Sequence, residues 1–146
     1  MRRIRRGVAV AIDYALDPVV HRTGTLTGYR DGRQARPVPD GLRDLTAHVA
    51  LEACAAAGVA AGATATVICA QRAALRALGV DAARPTRELA MSDPGAYVRA
   101  LQRSSDAAEL TAPDGLGGFG WVVQAVGVGL PPVLEHVAPA VGQGIA

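Results

Sequence analysis

The stretch GATATVICAQRAALRAL, residues Gly62–Leu78, decides the fold class because a strand pattern passes into a helix pattern without a linker. Thr64–Cys69 is a run of strand length rich in β-branched residues, which is typical of a buried strand. Gln71–Leu78 predicts a helix, and Gly79 is suited to end it. The stretch therefore predicts a core strand that crosses the middle of a sheet and turns directly into a helix.

Further elements are predicted on the N-terminal side of this unit. Gly7–Ile12 is a short apolar run that predicts a strand, and Thr23–Tyr29 alternates as a second strand or an extended loop. A helix is predicted over Asp40–Ala57, with Asp40 as its N-cap and Gly58 following its end.

Two more elements are predicted on the C-terminal side. The pattern after Asp93-Pro94 predicts a helix over Ala96–Ser104, whereas Trp121–Val128 fits a helix or a strand equally well. Strands and helices interleave, so we expect one small α/β domain over residues 1–146, a mixed sheet with Ala-rich helices packed on it.

The two ends of the chain differ from its middle. Residues 1–6 form a basic arm, in which four arginines could contact phosphates, although a solvated end or a partner contact is the preferred interpretation. Residues 131–146 form a tail interrupted by proline and glycine, which we expect on the surface or against a partner.

The composition excludes several chemistries. All 15 basic residues are arginine, so lysine Schiff bases and a phosphate-binding P-loop lysine are excluded. The formal net charge of +2 predicts no broad basic surface for nucleic acid. With one Phe and one Trp, the core must pack small side chains, and we expect a homo- or hetero-oligomer interface to supply the missing burial.

A cytoplasmic location without membrane insertion is predicted. The apolar run after the basic start is interrupted at Asp13, which argues against a signal peptide. Leu116–Leu134 has no formal charge but is broken by five glycines and by Pro131-Pro132. Neither cysteine lies in a C-x-x-C pair, which suits a reduced compartment.

Cys69 is the first candidate for catalysis. A strand that feeds a helix places this thiol near a helix N-terminus, where backbone N–H groups stabilise a thiolate. His48 and His136 are the candidate bases, with His21 as the remaining histidine, and pairing would have to be spatial. The alternative is that Cys69 is a small buried apolar residue, as we also predict for Cys54.

The remaining motifs predict no cofactor and no metal. Gly115–Gly120, GLGGFG, matches the dinucleotide-binding pattern, but the preceding segment contains Pro113 and is a poor strand. A turn or tight packing beside Trp121 is the preferred interpretation. Asp13, after the first strand, is interpreted as a helix cap or as a carboxylate base.

Two segments resemble the ketosynthases and related thiolase-fold proteins. Thr46–Ala70, TAHVALEACAAAGVAAGATATVICA, resembles an Ala-rich helix and the strand after it, and Leu110–Val133 resembles the glycine-rich turn of that fold's second half. In a competing register Cys69 would be the acyl-accepting cysteine, or Gln71 the glutamine of chain-length factors. The family's H-G-T-G-T motif and lysine are absent.

The resemblance implies an accessory or degenerate thiolase-fold subunit that acts through protein association in polyketide or fatty-acid-type secondary metabolism. An acyl carrier or acyl substrate would be its partner. One alternative is a small acyl-transferring or cyclising enzyme that uses Cys69. Another is a nucleic-acid-binding protein that uses the Arg arm.

Overall fold

The main sheet is built around β6, Gly120–Val126, which lies between β1, Gly7–Asp13, and β5, Ala65–Ala70. Both outer strands run antiparallel to β6 and are therefore parallel to each other. The computed structural model describes residues 4–15 and 24–137 of the chain. Since β6 is covered on both faces, it is the most buried strand of the sheet.

β1 and β5 run parallel to each other on either side of β6, so their carboxyl ends lie at the same end of the sheet. Asp13 of β1 and Ala70 of β5 are both opposite Gly120, the first residue of β6. In α/β sheets, ligands bind outside the carboxyl ends of parallel strands. A binding site is therefore expected at this end of the sheet.

Helices cover both faces of β5 and β6. On one face, α1, Leu51–Ala60, packs Leu51 and Ala55 against Val122. On the other face, α2, Gln71–Ala77, and α5, Pro132–Glu135, complete a core cluster that consists of Cys69, Ala74, Trp121, Val123 and Leu134. The arrangement is helix, sheet and helix in three layers.

Two capped helices follow α2. Thr86 accepts a hydrogen bond from Leu89 N–H and begins α3, Arg87–Ser92. Asp93 accepts one from Ala96 N–H and begins α4, Pro94–Thr111. A 3₁₀ turn, Leu116–Gly118, connects α4 to β6.

A second, three-stranded sheet precedes α1. β2, Thr27–Arg30, pairs antiparallel with β3, Arg33–Ala35, and with β4, Asp44–Thr46. Asp31 and Gly32 link β2 to β3 with positive φ values of 52° and 72°. Such a pair closes a two-residue hairpin turn, for which Asp-Gly is a favoured sequence.

The helix predicted over Asp40–Ala57 begins only at Leu51. Asp40 instead accepts hydrogen bonds from Leu42 N–H and from the Arg43 side chain, and the chain then enters β4. The Leu42 N–H and the Arg43 guanidinium also hold the pKa of Asp40 below its usual value. The hydrophobic spacing after Asp40 therefore belongs to a strand that the second sheet stabilises.

The same helix continues past its predicted end. Gly58 lies inside α1, where a Cβ atom would overlap the side-chain amide of Gln124. That amide donates to Ala55 O at 2.8 Å, so glycine allows the helix to approach the sheet. Cys54, predicted to be buried, is exposed on the outer side of α1.

The α/β class is confirmed, and so are the strand ahead of residue 70 and the helix after it. The strand ahead of residue 70 was expected in the middle of the sheet. That prediction was wrong, because β5 is an outer strand and β6 is the central one. Trp121–Val128 is resolved as strand over the range of β6. The predicted tail contains α5, whose Leu134 is buried in the core, while residues 138–146 lie outside the described ranges.

Candidate functional site

A cleft of about 580 Å³ lies at the end of the sheet where β1 and β5 finish. It is bounded by the residues after β1, by the segment between β4 and α1, and by the C-terminal end of α4 with the turn that follows. The side chains that give it chemical character are Tyr14, His48, Glu109, Asp114, Leu116 and Phe119.

Aromatic rings form one wall of the cleft. The rings of Tyr14 and Phe119 meet edge to face with centroids 4.6 Å apart, and the His48 ring lies 5.9 Å from that of Tyr14. Edge-to-face packing of this kind stabilises both rings beyond the area that they bury. The wall is therefore a preformed apolar surface.

Backbone hydrogen bonds hold the wall in place. Val49 N–H donates to Tyr14 O at 2.7 Å, and Tyr14 N–H donates to the Asp13 carboxylate at 2.8 Å. His48 N–H donates to the Thr25 hydroxyl at 2.8 Å, which ties the segment before α1 to the start of the second sheet. Asp13 thus orients the backbone of Tyr14.

The second wall of the cleft is the compact turn after α4, which contains the GLGGFG motif and therefore shares Phe119 with the aromatic wall. A Cβ atom at Gly117 would lie 2.6 Å from Thr111 O, so the turn folds directly onto the end of the helix. The motif follows a helix and not a strand, so it lacks the strand that a dinucleotide-binding turn requires before it. Glu109 and Asp114 place two carboxylates on this wall.

A buried amide joins the two walls. Gln71 N–H donates to Phe119 O at 2.7 Å, and the Gln71 side chain accepts from Trp121 Nε1 at 3.2 Å and donates to Leu110 O at 3.3 Å. One side chain therefore links α2, the end of α4 and the start of β6. The only sequence signal for this role is a polar residue at an otherwise apolar strand–helix junction.

The structure separates the three residues predicted for catalysis. Cys69 has no exposed surface, and burial raises the pKa of its thiol, which is the opposite of activation. His48 lines the cleft, whereas Cys69 and His136 do not. His136 is exposed just after α5, and His21 lies outside the described residues.

Native alkylation will distinguish the two cysteines. With iodoacetamide at pH 8, we expect Cys69 to react at least about 100-fold more slowly than the exposed Cys54, because its thiol is buried and keeps its proton. Peptide mass spectrometry measures both rates, and unfolding in urea is the control that should equalise them. Equal rates in the folded protein would restore Cys69 as a candidate nucleophile.

Three further predictions concern the basic arm, metal binding and insertion into a membrane. Arg5 and Arg6 of the basic arm are exposed, and residues 1–3 are not among those described. Across 4–15 and 24–137, no group of three His, Cys, Asp or Glu side chains is placed to hold a metal ion. No helix in the same ranges is both long enough and apolar enough to cross a membrane.

Comparison with known proteins gives structural matches alone. No protein-family model matches the chain, and no curated protein matches it. An uncharacterized COG1565 superfamily protein from Burkholderia thailandensis matches 88% of this chain with a TM-score of 0.68 and 28% identity. An inferred methyl transferase of the same superfamily and organism, bound to S-adenosyl-homocysteine, matches 90% with a TM-score of 0.69 and 27% identity.

The chain spans about a third of the length of these solved structures, 35% in each case. The matches overturn the resemblance to ketosynthases, because residues on both quoted segments belong to a fold shared with COG1565 proteins. The Ala-rich segment and glycine-rich turn matched by composition, since small residues recur wherever helices approach a sheet closely. The expected role as a thiolase-like subunit of polyketide metabolism was therefore wrong.

Proposed function

We propose that this chain forms part of a methyl-transfer site in a protein that uses S-adenosylmethionine. The observation that carries the proposal is the match of 90% of the chain to a structure bound to S-adenosyl-homocysteine, the product left when S-adenosylmethionine gives up its methyl group. The position of the cleft supports it, because the carboxyl ends of parallel strands are where α/β proteins bind ligands.

The described residues do not form a complete cradle for such a cofactor. Adenosine-containing cofactors are commonly held in α/β folds by a glycine-rich turn between a strand and a helix. Here β5 passes into α2 at Ala70-Gln71 without a glycine, and the GLGGFG turn follows a helix. We therefore assign the cleft to the acceptor side of the reaction and derive no step through the cofactor.

The residues of the cleft suit the binding of an acceptor molecule. The Tyr14 and Phe119 rings offer a bound ligand an apolar contact that excludes water, and the carboxylates of Glu109 and Asp114 can accept hydrogen bonds from it. The imidazole of His48 is half-buried in the aromatic wall. Such a side chain can serve as a general base toward the atom that receives the methyl group.

Methyl transfer can be tested in extracts of cells in which the gene has been disrupted. Radiolabelled S-adenosyl-[methyl-³H]methionine is added with the purified wild-type chain or with Phe119→Ala. We expect a labelled product that needs the wild-type chain and that falls at least about tenfold with Phe119→Ala, because the cleft loses its aromatic wall.

Val133→Ala is the matched control, because Val133 is exposed on α5 and does not line the cleft. It should restore labelling to the wild-type level. A labelling pattern that is identical with and without the chain would contradict the proposed function.

A further inference from the structure

The turn after α4, residues 112–119, contributes most of the lining of the cleft. All of its residues except Gly117 line the cleft. The turn joins the C-terminal end of α4 to Gly120, the first residue of β6. Tyr14 and His48, which line the cleft as well, belong to other parts of the chain. The width of the cleft therefore depends on where the turn is held.

The side chain of Gln71 is hydrogen-bonded on both sides of this turn. Its amide nitrogen donates to Leu110 O at 3.3 Å, just before the turn. Its amide oxygen accepts from Trp121 Nε1 at 3.2 Å, just after the turn. The backbone N–H of Gln71 donates to Phe119 O at 2.7 Å, at the last residue of the turn. One residue of α2 therefore clamps the turn at both ends.

The bond to Leu110 also satisfies the end of a helix. The last carbonyl groups of an α-helix have no N–H partner within the helix. Leu110 lies one residue before the end of α4, and the Gln71 amide gives its carbonyl a donor from another element. The end of α4 is thus fixed to α2, and Glu109, which lines the cleft from the same helical turn, is fixed with it.

Gln71 differs from the other polar side chains that are buried in the described ranges, Ser104 and Thr111. The Thr111 hydroxyl donates to Ala107 O in its own helix, and the Ser104 hydroxyl donates to Ala82 O in the loop before α3. Of the three, only Gln71 joins two further elements. A matched apolar pair could replace the amide and the indole with little change in stability, so this pair contributes chiefly a defined position.

We propose that Gln71 is a positioning residue for the methyl acceptor, whose side chain holds the turn after α4 where a bound acceptor is oriented for reaction. This inference rests on the proposed function. Gln71 is buried and does not line the cleft, so it acts through the turn and not by contact with the acceptor. Loss of orientation slows a bound reactant more than it weakens binding, so Gln71 should affect kcat more than KM.

The kinetic test uses Gln71→Met, which keeps the length of the unbranched side chain but removes both of its hydrogen bonds. In the labelling assay with extract, we expect the maximal rate per folded molecule to fall at least about tenfold. The extract concentration that gives half of this rate should change less than about threefold. Circular dichroism gives the folded fraction, and a loss of rate that only follows this fraction would overturn the proposal.

Gln102→Met is the matched control. Gln102 also lies on α4, and its amide donates to the Asp106 carboxylate at the exposed surface, away from the cleft. This variant loses an amide hydrogen bond of the same kind and should keep the wild-type rate. An equal loss of rate in both variants would overturn the positioning role of Gln71.

A spectroscopic measurement on the purified chain does not depend on the reaction. Phe119 is the single phenylalanine, so incorporation of 4-fluorophenylalanine places one fluorine in the turn. Wild type and Gln102→Met should each give one narrow ¹⁹F resonance. Gln71→Met should give a broadened or a second resonance, because the turn has lost its side-chain clamp. An unchanged resonance in Gln71→Met would overturn the proposal.

A measurement on the wild-type chain keeps the proposal testable if Gln71→Met does not fold. Trp121 is the single tryptophan, so its indole N–H gives one proton resonance. While it donates to Gln71, this proton should exchange with solvent at least about 100-fold more slowly than in the urea-unfolded chain. Exchange at the unfolded rate would show that the clamp is open in the folded protein and would overturn the proposal.

The two proposals fail in different ways. A turn that is released in Gln71→Met, in a chain that supports no methyl transfer, would remove the methyl-transfer function and leave the clamp on the cleft standing. Methyl transfer that is equal per folded molecule in Gln71→Met and wild type would remove the positioning role alone.

Discussion

Replacement of Gly117 by alanine is expected to lower the free energy of unfolding by about 3 kcal/mol. The new Cβ atom would lie 2.6 Å from Thr111 O and 2.7 Å from Ala112 O. Backbone atoms cannot rotate away as the end of a long side chain can, so the turn must move off α4. Urea denaturation followed by far-ultraviolet circular dichroism measures the change.

The neighbouring Gly115 supplies the control. A Cβ atom there would meet nothing closer than Ala112 Cβ at 3.7 Å, so Gly115→Ala should change the free energy of unfolding by less than about 1 kcal/mol. Equal effects of the two substitutions would show that the close approach of Gly117 to α4 does not determine the stability of the turn.

The second large effect is expected at Trp121, whose ring lies in the core cluster and is almost completely buried. Trp121→Ala leaves a cavity against Cys69 and Leu134, and should lower the free energy of unfolding by about 3 to 5 kcal/mol. Trp121→Phe keeps most of the apolar contact but removes the indole N–H that donates to Gln71. We expect it to cost about 1 to 3 kcal/mol.

A double-mutant cycle separates packing from hydrogen bonding at this site. In the Trp121→Phe background, Gln71→Leu should cost less than it does alone, because the indole donor has already been removed. Denaturation is followed by circular dichroism, since the chain has a single tryptophan. Strict additivity would show that the bond to Gln71 contributes nothing measurable.

The local parts of the fold could be predicted from the sequence. β5 and α2 lie where β-branched residues are followed by helix formers, and Gly79 has a positive φ at the end of α2. These features depend on residues within a few positions of each other. The cap at Asp93 is local in the same sense, and there too the structure agrees with the sequence.

The errors lie where distant residues decide the outcome. Leu45 fits a helix by spacing, but pairing with Gly28 makes it part of a strand. Gly58 is typical of a helix end, but the approach of Gln124 explains it as an interior residue of α1. The periodicity of Trp121–Val128 did not distinguish a helix from a strand. Pairing with β1 and β5 determines that Trp121 lies in a strand.

The sequence by itself determined the α/β class, the strand–helix unit around residue 70 and the absence of lysine chemistry. Only the tertiary structure brought Tyr14, His48 and Phe119 together in one cleft and withdrew Cys69 into the core. The physical reason is that periodicity reports which face of an element is apolar. Which element covers that face depends on contacts between residues far apart in the chain.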